Sequence, residues 1–257
     1  MVFKSLISVF MFSVLASAAW AGSIAKTYPV KDFSEFSAGG GAKIEITQDG
    51  SEYLRIEADA EVMERVKVDQ TGKRVSVWIK SDNNFFNWFG QGDDHVKIVL
   101  RVKQLEYLEL SGGAYAKVND LKSENFALNN SGAAEVDFAD VDANQLRVDL
   151  SGAAKMSSER VHSQFQKYEL SGASDAKVKA GNVQSLQVNV SGASNMRAKK
   201  LTAKNAKLDA SGASQIEVTV TDELEAQASG ASNINYYGRP KAKTDASGAS
   251  QVKARDD

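Results

Sequence analysis

Two acidic residues twenty positions apart raise the first question of chemistry. Asp149 and Glu169 belong to a column that precedes each of eight serines by two residues: Glu109, Asn129, Asp149, Glu169, Asn189, Asp209, Gln227 and Asp245. If successive members stand on neighbouring strands, Asp149 and Glu169 lie about 5 Å apart. That separation suits a calcium ion held by carboxylate oxygens or paired acid–base work on a glycosidic bond. The flanking column carries Arg147, Lys167, Lys207 and Lys243, which would neutralise the acids. The alternative is therefore a solvated face of mixed charge. Other reactive groups are sparse. There is no cysteine, and the two histidines, His95 and His162, are far apart. No nucleophile elbow, paired-histidine zinc motif or phosphate-binding loop occurs. A catalytic serine is singular and has a base beside it, so serines in eight copies read as structure. The sequence assigns no catalytic, metal or cofactor-binding residue and no cofactor.

One segment is built for contact rather than reaction. Phe85, Phe86, Trp88 and Phe89 fall in a run bounded by Asn83 and Gly90. Exposed aromatics there would stack on sugar rings or dock a protein or membrane surface. The competing expectation is a loop folded over an open end of the molecule as a cap. Tyr236 and Tyr237, near Pro240, form a second and smaller aromatic candidate.

The elements that must position these groups come from a repeat. The tetrapeptide Ser-Gly-(Ala/Gly)-(Ala/Ser) begins at Ser111, Ser131, Ser151, Ser171, Ser191, Ser211, Ser229 and Ser247, at spacings of twenty and finally eighteen residues. Apolar residues alternate with polar ones on both sides of it. Leu186, Val188 and Val190 precede Ser191, and Met196 and Ala198 follow it. A period of two marks half-buried strands, so each coil has a strand entering the Ser-Gly and a strand leaving it. The apolar phase shifts across the motif. The residue before Ser points inward, as does the small residue after Gly, such as Ala193, and a bulge or corner absorbs the extra residue. Glycine suits such a corner because it takes positive φ without strain.

One such coil cannot bury its own apolar side, whereas coils stacked in register bury it continuously. Parallel crossovers are overwhelmingly right-handed. The expected fold is all-β: a single-domain right-handed parallel β-helix, or β-solenoid, with irregular N-terminal coils. Ala206, Ala226, Ala228, Ala242 and Ala246 make the interior shrink towards the C-terminus. An antiparallel sandwich or a four-bladed propeller is the competing architecture, disfavoured because alternate repeats would then differ.

Residues 22–104 lack the tetrapeptide but keep the alternation, in Ile44 and Ile46, Leu54 and Ile56, Val75, Val77 and Ile79, and Val96, Ile98 and Leu100. Asp49-Gly50 is a hairpin signal between two of these runs, and Thr71-Gly72 a weaker one. The segment reads as first coils or a cap, continuous with the repeats of residues 105–257. Residues 1–21 read as a signal peptide. Lys4 is followed by an apolar run and by Ala19-Trp20-Ala21 before Gly22, with Ala16-Ser17-Ala18 as a competing cleavage site. The apolar run is short for a bilayer span, and no later segment is apolar enough to be one. A net charge of −2 without a basic stripe argues against nucleic acid.

The Ser-Gly-Ala-Ser repeats, together with Phe33-Ser34-Glu35-Phe36 and Ala42-Lys43-Ile44-Glu45-Ile46, resemble the auto-transporter adhesin head GIN domain family, formerly a domain of unknown function. The resemblance covers about residues 30–254. It implies a β-solenoid exported by bacteria and supplies no catalytic residues. With the last coil ending at Asp257, the expectation is a departure from a true autotransporter, which would need a translocator barrel as well. The functional expectation is an exported non-enzymatic adhesin-like or scaffolding protein of the cell envelope. Its location would be periplasmic, at the outer surface or extracellular, and its partner a glycan or an envelope protein. A polysaccharide-active β-helix enzyme and a periplasmic protein-interaction module are the alternatives.

Overall fold

Alternating apolar and polar residues in an extended chain place one set of side chains inside. Each alternating run is a strand in the computed structural model, which describes residues 23–79 and 96–256. The leader and the aromatic run from Phe85 to Phe89 lie outside the described residues. Strand makes up 69% of the chain and helix 3%, and the strands wind into a β-solenoid of about seven turns. The all-β, single-domain expectation therefore holds.

A coil has three sides where the sequence suggests two. Between 131 and 150 the buried side chains are Ala134, Val136 and Phe138, then Val141 and Ala143, then Leu146, Val148 and Leu150. The period of two breaks after 138, after 143 and across the Ser-Gly, and each break is a bend. The middle side holds only two inward residues, too few to announce itself as a separate strand. Coils pair in parallel with each residue meeting the one twenty places on. Leu121–Asn130 pairs with Glu135–Leu150, which pairs in turn with Lys155–Leu170. The shorter coils lose their residues at the bends: Ala198 meets Val218, but Thr202 meets Thr219 and Asn205 meets Glu223.

The Ser-Gly corner is a tight turn whose inner position differs from the sequence expectation. The glycines have φ near +75°, and the residues after them do not share the positive φ, the signature of a type II′ turn. The third residue, exemplified by Ala193, is exposed, and the fourth is buried: Ala134, Ala154, Ser174, Ser194, Ser214 and Ser232. The turn consumes one more residue than a simple bulge, so the phase change is four rather than three. A serine at the fourth position must find partners in a dry interior. Ser214 Oγ donates to Ser211 O at 2.9 Å, and Ser232 Oγ lies 2.8 Å from Ser229 O and 3.0 Å from Ala210 O. The hydroxyl thus closes its own turn and reaches the carbonyl of the coil before.

Each corner rests on the previous one. The Ala193 N–H donates to Gly172 O and the Ala213 N–H to Gly192 O, both at 2.7 Å. A Cβ on Gly192 would sit 2.5 Å from Gly172 O, so both space and φ demand glycine there.

The N-terminal region is one further coil with hairpins grafted on it. Its strands are β1 (Ser23–Tyr28), β2 (Glu35–Ala38), β3 (Lys43–Gln48), β4 (Tyr53–Asp59), β5 (Val66–Thr71), β6 (Arg74–Ile79) and β7 (Lys97–Val102), with a single-turn helix α1 (Ala60–Arg65) between β4 and β5. β2 and β3 stack in parallel on β8 (Tyr107–Leu110) and β9 (Tyr115–Val118). Between β2 and β3, Gly39-Gly40-Gly41-Ala42 forms a ninth corner: Gly40 has φ +81°, and Gly113 N donates to its carbonyl at 2.8 Å. It lacks the serine, which is why it escapes a search for Ser-Gly. Beyond that coil, β6 pairs in parallel with β2 and carries β5 as an antiparallel hairpin. β7 pairs in parallel with β3 and carries β4 and then β1, both antiparallel. The Thr71-Gly72 signal is a true hairpin. Asp49-Gly50 is a turn, with Ser51 N donating to Asp49 Oδ1 at 3.0 Å. It does not join paired strands, because β7 inserts between β3 and β4.

The corner geometry sets two contrasting outcomes. Gly192→Ala should destabilise the fold by roughly 2–4 kcal/mol, combining the cost of positive φ with the clash against Gly172 O. Ala193→Lys, one residue on, should change stability by less than about 0.5 kcal/mol, as an exposed substitution does. Urea unfolding followed by circular dichroism checks both; equal effects would refute the assignment of inner and outer corner positions.

Candidate functional site

The outward side chains of the strands that enter the corners form three straight columns, because every coil repeats the register of the last. The carboxylate–amide column lies between a column beginning Arg74, Glu35, Tyr107 and a column of the corner serines. Strand register sets Asp149 directly beside Glu169, as the spacing suggests. Their environment is one of neutralised charge. Arg147 donates from Nε to Asp149 Oδ2 at 2.8 Å and from Nη2 to Oδ1 at 3.2 Å, and Nη2 also contacts Glu169 Oε2. Lys167 Nζ is 3.0 Å from Glu169 Oε1. Partial burial pushes the Asp149 carboxyl above the usual carboxylate range against the pull of Arg147. Hydrogen bonding from Lys167, then from Asp149, holds Glu169 below that range.

This pair offers little grip for a metal. Both carboxylates are occupied by cations, and among the described residues no cluster of three or more His, Asp or Glu side chains is placed to hold one. His162 is not near the pair. It lines a separate polar groove of about 760 Å³ on the middle side of the coil, with Ser163, Asn144 and Asn182.

A second groove, of about 710 Å³, runs along the molecule between the carboxylate–amide column and the serine column. It runs from Asn129 to Ser247, with Asp149, Glu169, Asn189 and Asp209 along one side, Ser171 and Ser191 along the other, and Leu150, Leu170 and Val190 between them. With its amide nitrogen turned to Asp209, Asn189 donates to Oδ2 at 3.1 Å, so neighbouring rungs are themselves linked.

The aromatic candidates sort differently. Phe85, Phe86, Trp88 and Phe89 lie outside the described residues. Tyr236 packs against the core, and Tyr237 lies under Lys199, whose Nζ is 4.3 Å from the ring centroid; both have structural work. Among the described residues, sequence reading passes over two exposed aromatics, Tyr115 at 36% and, more open, Trp78 at 45%. Its signal was present: alternation of Val75, Val77 and Ile79 inward sends Trp78 outward. Ala38 pairs with Val77 and with Leu110, so one residue on, Trp78, Gly39 and Ser111 lie in line. Trp78 therefore stands at the N-terminal end of the serine column.

The Arg147 bridge can be read in solution. In Arg147→Ala, the Asp149 carboxyl loses the cation that lowers it, and its titration midpoint, followed by carbon-13 NMR, should rise further. A midpoint that stays or falls would show that Arg147 does not engage Asp149.

The whole architecture is shared with solved proteins. A putative adhesin from Parabacteroides merdae ATCC 43184 superposes with a TM-score of 0.81 at 20% identity, over 91% of this chain and 97% of the other. A putative adhesin from Parabacteroides distasonis ATCC 8503 gives 0.80 at 19% identity, over 91% and 96%. A putative lipid binding protein from the same organism gives 0.80 at 20%, over 91% and 97%. At these identities the likeness establishes the fold. Among curated proteins, none matches the sequence. Residues 32–240 match the family described as putative auto-transporter adhesin, head GIN domain, and with most of its length so matched, the chain belongs to that family.

Proposed function

We propose that this chain is an exported, non-enzymatic, adhesin-like protein of the bacterial cell envelope, a rigid solenoid that presents a repetitive outer surface to a partner. The observation that carries the reading is the groove between two outward columns, whose polar rungs recur from coil to coil while the backbone beneath is committed to the sheet. Such a surface suits many weak equivalent contacts, which add as avidity. It is ill suited to a single reacting centre, because the groups that could react, Asp149 and Glu169, are held in ion pairs by Arg147 and Lys167. The family description supports adhesion. Residues 1–21, with their basic start, short apolar stretch and Ala-Trp-Ala, support export, and they fit a mature protein that is one continuous domain from residue 22. No described helix is long and apolar enough to cross a membrane.

Beads coated with the mature protein should adhere to bacterial or host cells, and fractionation of the expressing bacterium should recover the protein outside the cytoplasm, shortened by the leader. Failure to adhere, together with release of new reducing ends from polysaccharides, would replace this reading with an enzymatic one. In that case Asp149→Ala or Glu169→Ala should abolish the release without lowering the melting temperature.

A further inference from the structure

The last described coil has an open backbone edge. The strand Lys241–Ala246 enters the corner at Ser247, and the strand Gln251–Arg255 leaves it. Each pairs with the coil before, the first with Gln215–Ala228 and the second with Asn233–Tyr237. Among the described residues neither has a strand on its other side. Ser247, Ala249 and Gln251 donate their N–H groups backward, to the carbonyls of Ala228, Gly230 and Ser232. Alternation along the chain then turns the N–H and C=O groups of Thr244, Ala246, Val252 and Ala254 to the open edge. The corner carbonyls from Gly40 to Gly230 each accept an N–H from the next corner, and Gly248 O has no such donor among the described residues.

Sheets that stay single guard such an edge with an inward charge, a proline or a bulge. Neither strand has one. Their inward residues are Ala242, Thr244, Ala246, Val252 and Ala254, in line with the buried Leu224, Ala226, Ala228 and Ile234 of the coil before. All but Val252 are exposed, so the end is small-residued and uncharged on its inner side. The two open strands meet at a bend. A single extended peptide covers one of them, whereas full cover takes two strands at a matching bend, which a second copy of this end supplies. A two-fold axis through the corner and across the solenoid sets the entering strand of each copy antiparallel to the leaving strand of the other. With Ala249 opposite its mate, Ala246 meets Val252 and Thr244 meets Ala254 on the inner side, and Asp245 meets Lys253 outside. The other register that keeps the corners within a residue of each other sets Lys243 against Lys253, a destabilising like-charge pair. Lys243 meets Arg255 in the outer pair of the favoured register, so the attraction sits beside the corner. We propose that two copies of this chain join tail to tail through this edge, each sheet continuing from one solenoid into the other. The joint goes beyond the adhesin-like reading and is independent of it, lengthening the outer surface whatever that surface binds.

Size-exclusion chromatography with light scattering, together with small-angle X-ray scattering, tests the joint on the mature protein. Twice the chain mass and a maximum dimension near twice that of one solenoid are expected. Thr244→Lys and Ala254→Lys each bring a charge to the inner side of the joint. Either should raise the dimer dissociation constant about 10-fold or more, with circular dichroism showing an unchanged fold. The sequence has no cysteine, so a single introduced one reports the axis. Strand spacing puts the two Ala249 backbones about 5 Å apart, within the reach of a disulfide. Ala249→Cys should therefore cross-link to a dimer under mild oxidation, far faster than Ala173→Cys at the same place in an inner corner. A mass that stays at one chain at every concentration, or one that grows without limit, overturns the proposal. So does a dimer untouched by either lysine variant, or cross-linking no faster at 249 than at 173.

Discussion

The solenoid depends on one hydrogen bond repeated at every turn: the carbonyl of a corner glycine accepting the N–H of the third residue of the next corner. At 2.7–2.8 Å from the Gly40 corner to the last one, it ties the tightest point of each coil to the coil before. It can form only if the chain turns with positive φ and no side chain intervenes. Those two requirements leave glycine as the residue that meets them. Once the corners stack, the inward residues on either side are forced into line, and the core follows as continuous columns of Leu, Val, Ile and Ala. The outward residues are forced into line by the same constraint, so the groove is a by-product of the corner.

This explains what was legible in the sequence. Regular Ser-Gly spacing and period-two alternation identify the solenoid, because backbone geometry and burial are both written in residue type. The third side was not legible, since two inward residues such as Val141 and Ala143 do not make a recognisable period. The inner corner position was misplaced at Ala193 because third and fourth residues are both small; only the turn geometry distinguishes the exposed Ala193 from the buried Ser194. The corner at Gly40 was hidden by the absence of serine and by the 72 residues that separate it from Gly112, taken up by hairpins.

The candidate site was legible in part. Spacing alone put Asp149 beside Glu169, but the ion pairs that neutralise them depend on how Arg147 bends across the strand, which spacing does not express. The place of Trp78 in the fold is likewise set by register. A lone tryptophan in a strand is unremarkable until sheet register sets it beside a side-chain-free glycine at the head of a polar column. Gln166 and Tyr168 show the same limit inside the core. Their hydrogen bond of 3.2 Å is fully buried where neighbouring coils have Leu and Val, and their residue types alone would not place both inside.

If the glycine-to-backbone corner is the unit from which core and groove are built, whole coils can be added without disturbing the rest. Small-angle X-ray scattering on a variant in which residues 151–190 are duplicated in tandem measures this directly. Two extra coils should lengthen the particle by about 10 Å, with one cooperative unfolding transition and an unchanged cross-section. An unfolded or aggregated variant, or one that swells in cross-section instead of lengthening, would contradict the claim that the corner column sets the fold.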